Sequence, residues 1–340
     1  METVVIFGGT GFIGTHFTQH LLVEKLARKV MLVDILPPRD APYCAVLQEG
    51  LRTGSVEFVS MDVRKPLAHS ALPARADLVV NLAAIHREPG HRAEEYFETN
   101  LYGAENVCAY SSAIECPRMV FTSSISPYGP SEALRDETSL PVPETPYGSS
   151  KLVAEKIHLA WQASNNNRKL LILRPGVVFG PGEGGNVTRL IRSVLRGYFV
   201  YIGNRATRKA GGYVKELCFV LQFALEHQDR TNEGATLLNF SMDPLPTLED
   251  FVEAIRSVGG IRRVPFSVPR FAIMGASYPI ATIAGALGIK QPISPVRVRK
   301  LLRSTSLDPK RLRELGYQWR FTLKAALEDW REDLPSDFSR

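Results

Sequence analysis

A tyrosine and a lysine four residues apart, Tyr147 and Lys151 in PYGSSK, stand at the opening of a segment with helical periodicity. At that spacing both side chains project from one face of a helix. A phenol with an ordinary pKa of about 10 is a poor base at neutral pH. An ammonium held beside it favours the phenolate and brings it within range of taking a proton from a hydroxyl. With 11 tyrosines in 340 residues the spacing alone recurs by chance, so it needs company. Ser124 supplies it at the end of the apolar run RMVFTSS, where a hydroxyl can reach the same substrate oxygen. Ser123 and Thr122 are alternatives, and the simpler role for each is to close a strand-end loop.

A second constellation lies at residues 8–14. Gly8, Gly11 and Gly14 give the spacing GxxGxxG within GGTGFIG, after the β-branched run TVVIF and before an amphipathic stretch reaching Leu26. Glycines so placed allow a tight turn, close approach of backbone to a pyrophosphate and close helix–strand packing. A helix opening there points its free N–H groups at phosphate oxygens, with Phe12 and Ile13 in its first turn. In this strand–turn–helix setting the pattern predicts a dinucleotide site. Asp34 ends the second apolar run, where a carboxylate accepts from both adenosine ribose hydroxyls and repels a 2′-phosphate. NAD is therefore expected over NADP, although Arg39 lies close by. Asp62 and Val63, after the third run, and Ala83, after the fourth, complete the expected cofactor lining. An ordinary turn acid is an equal alternative for Asp62.

Six apolar runs fall in the first 175 residues: Thr3–Phe7, Val30–Ile35, Val56–Val59, Asp77–Ala84, Arg118–Ser124 and Lys169–Arg174. Helical periodicity fills the intervals, most clearly at 93–114 and 147–163. Continuous apolar strands alternating with helices predict an α/β fold, a doubly wound parallel Rossmann sheet with ligands at the carboxyl ends of its strands. After Pro175 the pattern loosens into GVVFGPGEGG and mixed short elements. This predicts an NAD-binding domain at 1–175, joined by 213–230 — a helix at about 213–227 — and a smaller C-terminal α/β substrate domain at 176–212 and 231–340.

Several of these segments together resemble the extended short-chain dehydrogenase/reductases. They are GGTGFIG, NLAA at 81–84, TSSISPYG at 122–129, PYGSSK, LRPGVVFGPG at 173–182 and LDPKRLRELGYQW near the C-terminus. Within that family the chain is most similar to nucleotide-sugar epimerases and dehydratases, in particular UDP-hexose 4-epimerases. The resemblance implies that Tyr147 takes the proton from a sugar hydroxyl, usually O4, as hydride passes to NAD. Ser124 would polarise that oxygen, and Lys151 would tune Tyr147 and bind the nicotinamide ribose. The 4,6-dehydratases carry an acid beside the strand-five hydroxyl, and Thr122-Ser123-Ser124-Ile125 has none. Net ketoreductases more often use NADPH, which Asp34 disfavours, so epimerisation is expected. An NAD(P)H-dependent 4-keto-sugar reductase, a steroid or flavonoid reductase and a non-catalytic dinucleotide sensor are the alternatives.

On the substrate side, Asn186 resembles an asparagine that contacts the diphosphate, with a helix cap as its other role. Arg208 and Lys209 fall near a phosphate-binding arginine of relatives. Arg297, Arg299 and Arg303 are further candidates, with a solvated helix face as the default. His86 either touches substrate or nicotinamide or is an idle loop residue, while Asn100 is expected to brace the nearby backbone. Relatives imply a homodimer through the helices at 93–114 and 147–163.

Composition limits the remaining classes. The formal charge is +6 without a basic arm, so nucleic-acid binding is not expected. Four cysteines, none in CxxC spacing, predict free thiols and no metal site. METVVIFGG lacks the regions of a signal peptide, and a cytoplasmic protein is expected. The uncharged stretch at 271–289 (FAIMGASYPIATIAGALGI) is near the lower length of a membrane span. Pro279 and three glycines interrupt it, so a buried or surface-docked helix pair is expected and membrane contact is not.

Overall fold

The computed structural model describes residues 1–88, 90–268 and 304–339. The stretch 271–289, Arg297, Arg299 and Arg303 lie outside the described residues.

Seven parallel strands form the central sheet: β1 (Thr3–Phe7), β2 (Lys29–Asp34), β3 (Val56–Ser60), β4 (Leu78–Asn81), β5 (Arg118–Thr122), β6 (Lys169–Pro175) and, later in the chain, β10 (Ala235–Phe240). Their order is β10-β6-β5-β4-β1-β2-β3. The six apolar runs are thus strands, with ends that coincide or shift by at most three residues. β10 is the edge strand beyond β6, paired from Ala235↔Leu170 to Phe240↔Pro175. Residues 235–240, grouped on sequence with the second domain, therefore extend the first domain's sheet. A short run such as ATLLNF carries no record of its distant partner.

Alternation along each strand feeds two apolar layers. Val4, Ile6, Leu78, Val80 and Val120 pack beneath α1 (Phe12–Val23), α2 (Ala45–Thr53) and α6 (Val214–Thr231). Val5, Phe7, Val79, Met119 and Phe121 pack beneath α3 (Ala93–Ala113) and α4 (Pro146–Ala163). The strand order reverses between β1 and β4, which opens a crevice at their carboxyl ends.

The remaining described chain builds a second apolar centre. It comprises α5 (Asn186–Leu195), α7 (Leu248–Gly259) and α9 (Leu323–Asp333), packed through Ile191, Val252, Ile255, Leu327 and Trp330. Two small parallel pairs join it: β7 (Val177–Phe179) with β9 (Gly211–Tyr213), and β8 (Tyr201–Ile202) with β11 (Ser267–Val268). A short helix, α8 (Lys310–Glu314), covers β10. α7 starts on a capping box, Thr247 with Asp250, which satisfies two orphan N–H groups.

Candidate active site

The loop from β1 to α1 is shaped for close approach. Gly8 has φ +74°, and a Cβ there would lie 2.6 Å from the Ala83 nitrogen. At Gly14 a Cβ would lie 2.5 Å from the Gly9 oxygen, and at Gly11 3.1 Å from the Gly8 oxygen. Three glycines thus let the loop, the first turn of α1 and the segment after β4 come together as a bare backbone cradle. α1 begins at Phe12 with Gly11 as its N-cap, and no side chain competes for its first N–H groups. That is the anion-binding end of a helix. These residues fit a dinucleotide pyrophosphate.

Asp34 stands at the end of β2, one carboxylate oxygen accepting from the Thr10 amide (3.2 Å) and the other from the Ile35 amide (2.7 Å). Those two bonds fix the carboxylate beside the cradle. Asp62 is gripped by its own turn: Arg64 donates from Nε (3.0 Å) and a terminal nitrogen (2.7 Å), and the Arg64 amide also donates to it (3.0 Å). The neighbouring guanidinium holds its carboxyl below the usual range. Val63 is buried against α3, with its Cγ2 where a Cβ on Gly103 would press.

Across the crevice, α4 opens with Thr145 as its cap and Pro146 in its first turn, so Tyr147 and Lys151 fall on the buried face. Ser124 lies beside the Tyr147 phenol and favours its ionised form. Its Oγ accepts from the Ser126 amide and donates to the Ser126 hydroxyl, both at 3.2 Å. Of the three hydroxyls at this strand end, Ser124 is therefore the one turned to Tyr147. Ser123 donates instead to Glu155 (2.5 Å), and Thr122 Oγ1 is buried without a partner.

Burial governs both titratable groups, and in opposite directions. It pushes Tyr147 up to about 12, against the influence of Ser124, with Glu88 and Tyr96 adding to the rise. It pulls Lys151 down to about 7, against the attraction of Glu155. Lys151 Nζ donates to the Thr122 carbonyl (2.7 Å) and lies 4.2 Å from the centre of the Phe121 ring. Asn100 braces the adjoining backbone, accepting from the Ile85 amide (3.1 Å) and donating to Ser150 (2.8 Å).

The expected substrate-side residues are less gathered. His86 is exposed at the rim of the crevice. Desolvation there, then the charges of Arg87 and Lys151, hold its pKa below the ordinary histidine value. Asn186 is exposed and is not the cap of α5: Gly185 takes that place, and Asn186 accepts from Arg189 (2.7 Å). Lys209 is half-buried before β9, and Arg208 is exposed.

Two arrangements were not anticipated from the sequence. His16, in α1, donates to the Pro181 carbonyl (2.9 Å) and stacks on Tyr43 (5.6 Å between centres). This ties the cradle to the glycine-rich loop before α5, where Gly182 faces the Tyr43 hydroxyl. The other is a buried ion pair, Glu155 with Arg174, both below 5% exposed. Its signal in the sequence was the position of Glu155, one turn beyond Lys151 on the same face.

Comparison with known proteins gives the family of the chain. The profile of the NAD dependent epimerase/dehydratase family matches residues 4–238. An N-acetyl-alpha-D-glucosaminyl-diphospho-ditrans,octacis-undecaprenol 4-epimerase of Escherichia coli is 26% identical over 328 residues, 96% of this chain and 93% of its own length. A 3 beta-hydroxysteroid dehydrogenase/Delta 5-->4-isomerase of Mycobacterium tuberculosis is 26% identical over 343 residues, 96% of this chain and 88% of its own. In fold, the UDP-glucuronic acid 4-epimerase of Bacillus cereus, solved with NAD, superposes with a TM-score of 0.75 at 20% identity. That match covers 99% of this chain and 100% of the other.

Proposed function

Because the chain belongs to the NAD dependent epimerase/dehydratase family, we propose that it is an NAD-dependent 4-epimerase of a nucleotide-diphosphate sugar. The observation that carries this reading is the Ser124 hydroxyl beside the buried Tyr147 phenol, with Lys151 one turn on along the same buried face of α4. NAD, when bound, supplies a hydride acceptor that can return the hydride to the opposite face of the sugar ring. The chain's own groups move the proton. Tyr147 takes it from the 4-hydroxyl and gives it back, Ser124 holds that oxygen, and Lys151 supplies positive charge beneath the phenol. The cradle of Gly8, Gly11 and Gly14, with Phe12 and Ile13, holds the pyrophosphate; Asp34 holds the adenosine ribose; Asp62, Val63 and Ala83 line the adenine and nicotinamide sides. Asn186 and Lys209 are assigned to the substrate diphosphate and His86 to the sugar.

Dehydration is disfavoured because the carboxylate nearest the strand-five hydroxyls, Glu155, is locked to Arg174 (2.6 Å) and buried. The E. coli relative's name places its sugar on a diphospho-polyprenol, and steroid enzymes are similar at the same level. The decisive experiment incubates purified protein, without added cofactor, with UDP-hexoses, an undecaprenyl-diphosphate sugar and a 3β-hydroxysteroid. Conversion of a UDP-hexose to its 4-epimer, abolished in Tyr147→Phe with bound NAD retained, supports the reading. Turnover confined to the lipid-linked sugar or the steroid, or consumption of NADPH by a 4-keto sugar, overturns it.

The same reading makes the protein a cytoplasmic homodimer through α3 and α4, whose outer faces expose Tyr102 and Val153. Among the described residues no helix is long and apolar enough to cross a membrane. Light scattering of the wild type and of Tyr102→Glu/Val153→Glu tests the dimer: the double variant should be monomeric.

A further inference from the structure

The buried polar side chains Tyr147, Lys151, Glu155 and His158 follow one another at three- and four-residue steps along one face of α4. The first two belong to the site already described. Stability alone does not account for Glu155, since two well-packed apolar residues often stabilise such an interface as well as a buried ion pair does. Yet its bonding is complete. Glu155 Oε1 accepts from Ser123 Oγ (2.5 Å) and Arg174 Nε (2.8 Å), and Oε2 accepts from a terminal nitrogen of Arg174 (2.6 Å). The Arg174 guanidinium lies 4.6 Å from the centre of the Tyr128 ring, and Tyr128 donates to Asn239 (2.9 Å). One carboxylate thereby joins the helix turn below Lys151, the residue before Ser124 and the end of β6.

The surroundings of Lys151 give that carboxylate its importance. From β5, Lys151 meets the Thr122 carbonyl and the Phe121 ring, neither of them charged. From α4 the titratable groups that act on it or feel it are Glu155, one turn on, and His158, which stacks on Phe121 (4.0 Å between centres). Burial lowers His158 to about 4, so it is neutral near neutral pH; its Nδ1–H donates to the Ala154 carbonyl (2.7 Å) and its Nε2 accepts from Asn81 (3.2 Å). From the rim comes His86, and from β6 comes Arg174, turned to Glu155. Glu155 is thus the one anion among the described residues acting on Lys151.

We propose that Glu155 is a positioning residue: its carboxylate, held by Arg174, favours the ammonium of Lys151 beneath the crevice and, through Ser123, fixes the turn that presents Ser124. This rests on the proton-transfer reading of Tyr147, Ser124 and Lys151. A merely structural ion pair would respond alike to loss of either partner. The proposed role makes the two losses different, because Glu155 is the group that attracts Lys151.

The test follows the Lys151 proton directly, by NMR of the full chain labelled at the lysine ε-carbon, with Lys151→Met assigning the signal. In Glu155→Gln the midpoint should fall by about one pH unit or more, the effect of removing a nearby opposite charge. In Arg174→Gln it should stay at or above the wild-type value. Where a single variant folds poorly, Glu155→Gln/Arg174→Gln removes both charges and should still show the lowered midpoint. The alkaline limb of kcat for 4-epimerisation should move with the NMR midpoint. Equal shifts in both single variants, or none in Glu155→Gln, overturn the proposal. An NMR shift in a protein without epimerase activity would leave the role of Glu155 standing and remove the functional reading instead.

Discussion

Replacing Lys151 by methionine should stabilise the protein while inactivating it. Lys151 is fully enclosed, and burial lowers it from an ordinary 10.5 to about 7. A lysine whose folded-state pKa lies below its unfolded value binds fewer protons in the folded chain across that window. Its charge therefore works against folding, fully below the folded pKa and progressively less as pH rises toward the unfolded one. Three and a half pH units at about 1.4 kcal/mol each put the penalty at about 5 kcal/mol, an upper estimate. Against it stands the lost bond to the Thr122 carbonyl, about 1–3 kcal/mol where an acceptor is left orphaned. Methionine fills similar space with no charge. The net expectation is a gain of about 2–4 kcal/mol near pH 7.

The assay is urea unfolding of cofactor-free protein at pH 7 and pH 9.5. The wild type should gain stability between them through this group, the variant should not, and its advantage should shrink or vanish at the higher pH. A variant less stable than wild type at pH 7, or a difference that does not change with pH, would refute the assignment of Lys151 as a charge held against its own burial.

Gly14→Ala should weaken NAD binding by roughly 10-fold or more, because its Cβ would meet the Gly9 carbonyl at 2.5 Å and backbone must shift; calorimetric titration reads this. Asp34→Asn keeps an acceptor for the Ile35 amide but removes the charge that repels a 2′-phosphate. The ratio of NADP to NAD affinity should rise by about tenfold. His16 and His158 are both lowered to about 4, so the unfolded chain binds more protons than the folded one between roughly pH 6.5 and 4. Stability should fall through that window by about 3 kcal/mol for each, seen in urea midpoints against pH and reduced in His158→Leu.

What the sequence revealed was local. GGTGFIG and PYGSSK each hold their chemistry within seven residues, and a strand–turn–helix or a single helix turn suffices to place it. The six strands were legible because both faces of this sheet are covered, leaving unbroken apolar runs. Partnerships across the chain were not. β10 declares itself only by pairing with β6, and Glu155 meets Arg174 from 19 residues away. The Asp62 carboxylate is engaged by Arg64 two residues on, a side-chain choice that MDV cannot announce. Asn186 might have capped α5 by residue type, but Gly185 precedes it at the cap and its amide oxygen turns to Arg189.

The opposed shifts of Tyr147 and Lys151 have a common cause, and it bears on when the site can work. Burial disfavours any lone charge, so it keeps the proton on Tyr147 and pulls it from Lys151. Left to burial alone, the pair drifts toward phenol and neutral amine, the combination least able to take a proton from a hydroxyl. Glu155 pulls against that drift at Lys151, and Ser124 pulls against it at Tyr147. The one contact that favours the Tyr147 phenolate, Ser124, carries no full charge, so on the proposed reading the phenolate forms in quantity near neutral pH only with added positive charge at the crevice. On that reading, proton removal would then depend on occupancy of the cradle at Gly8, Gly11 and Gly14, so that the base is held in reserve until a hydride acceptor is bound.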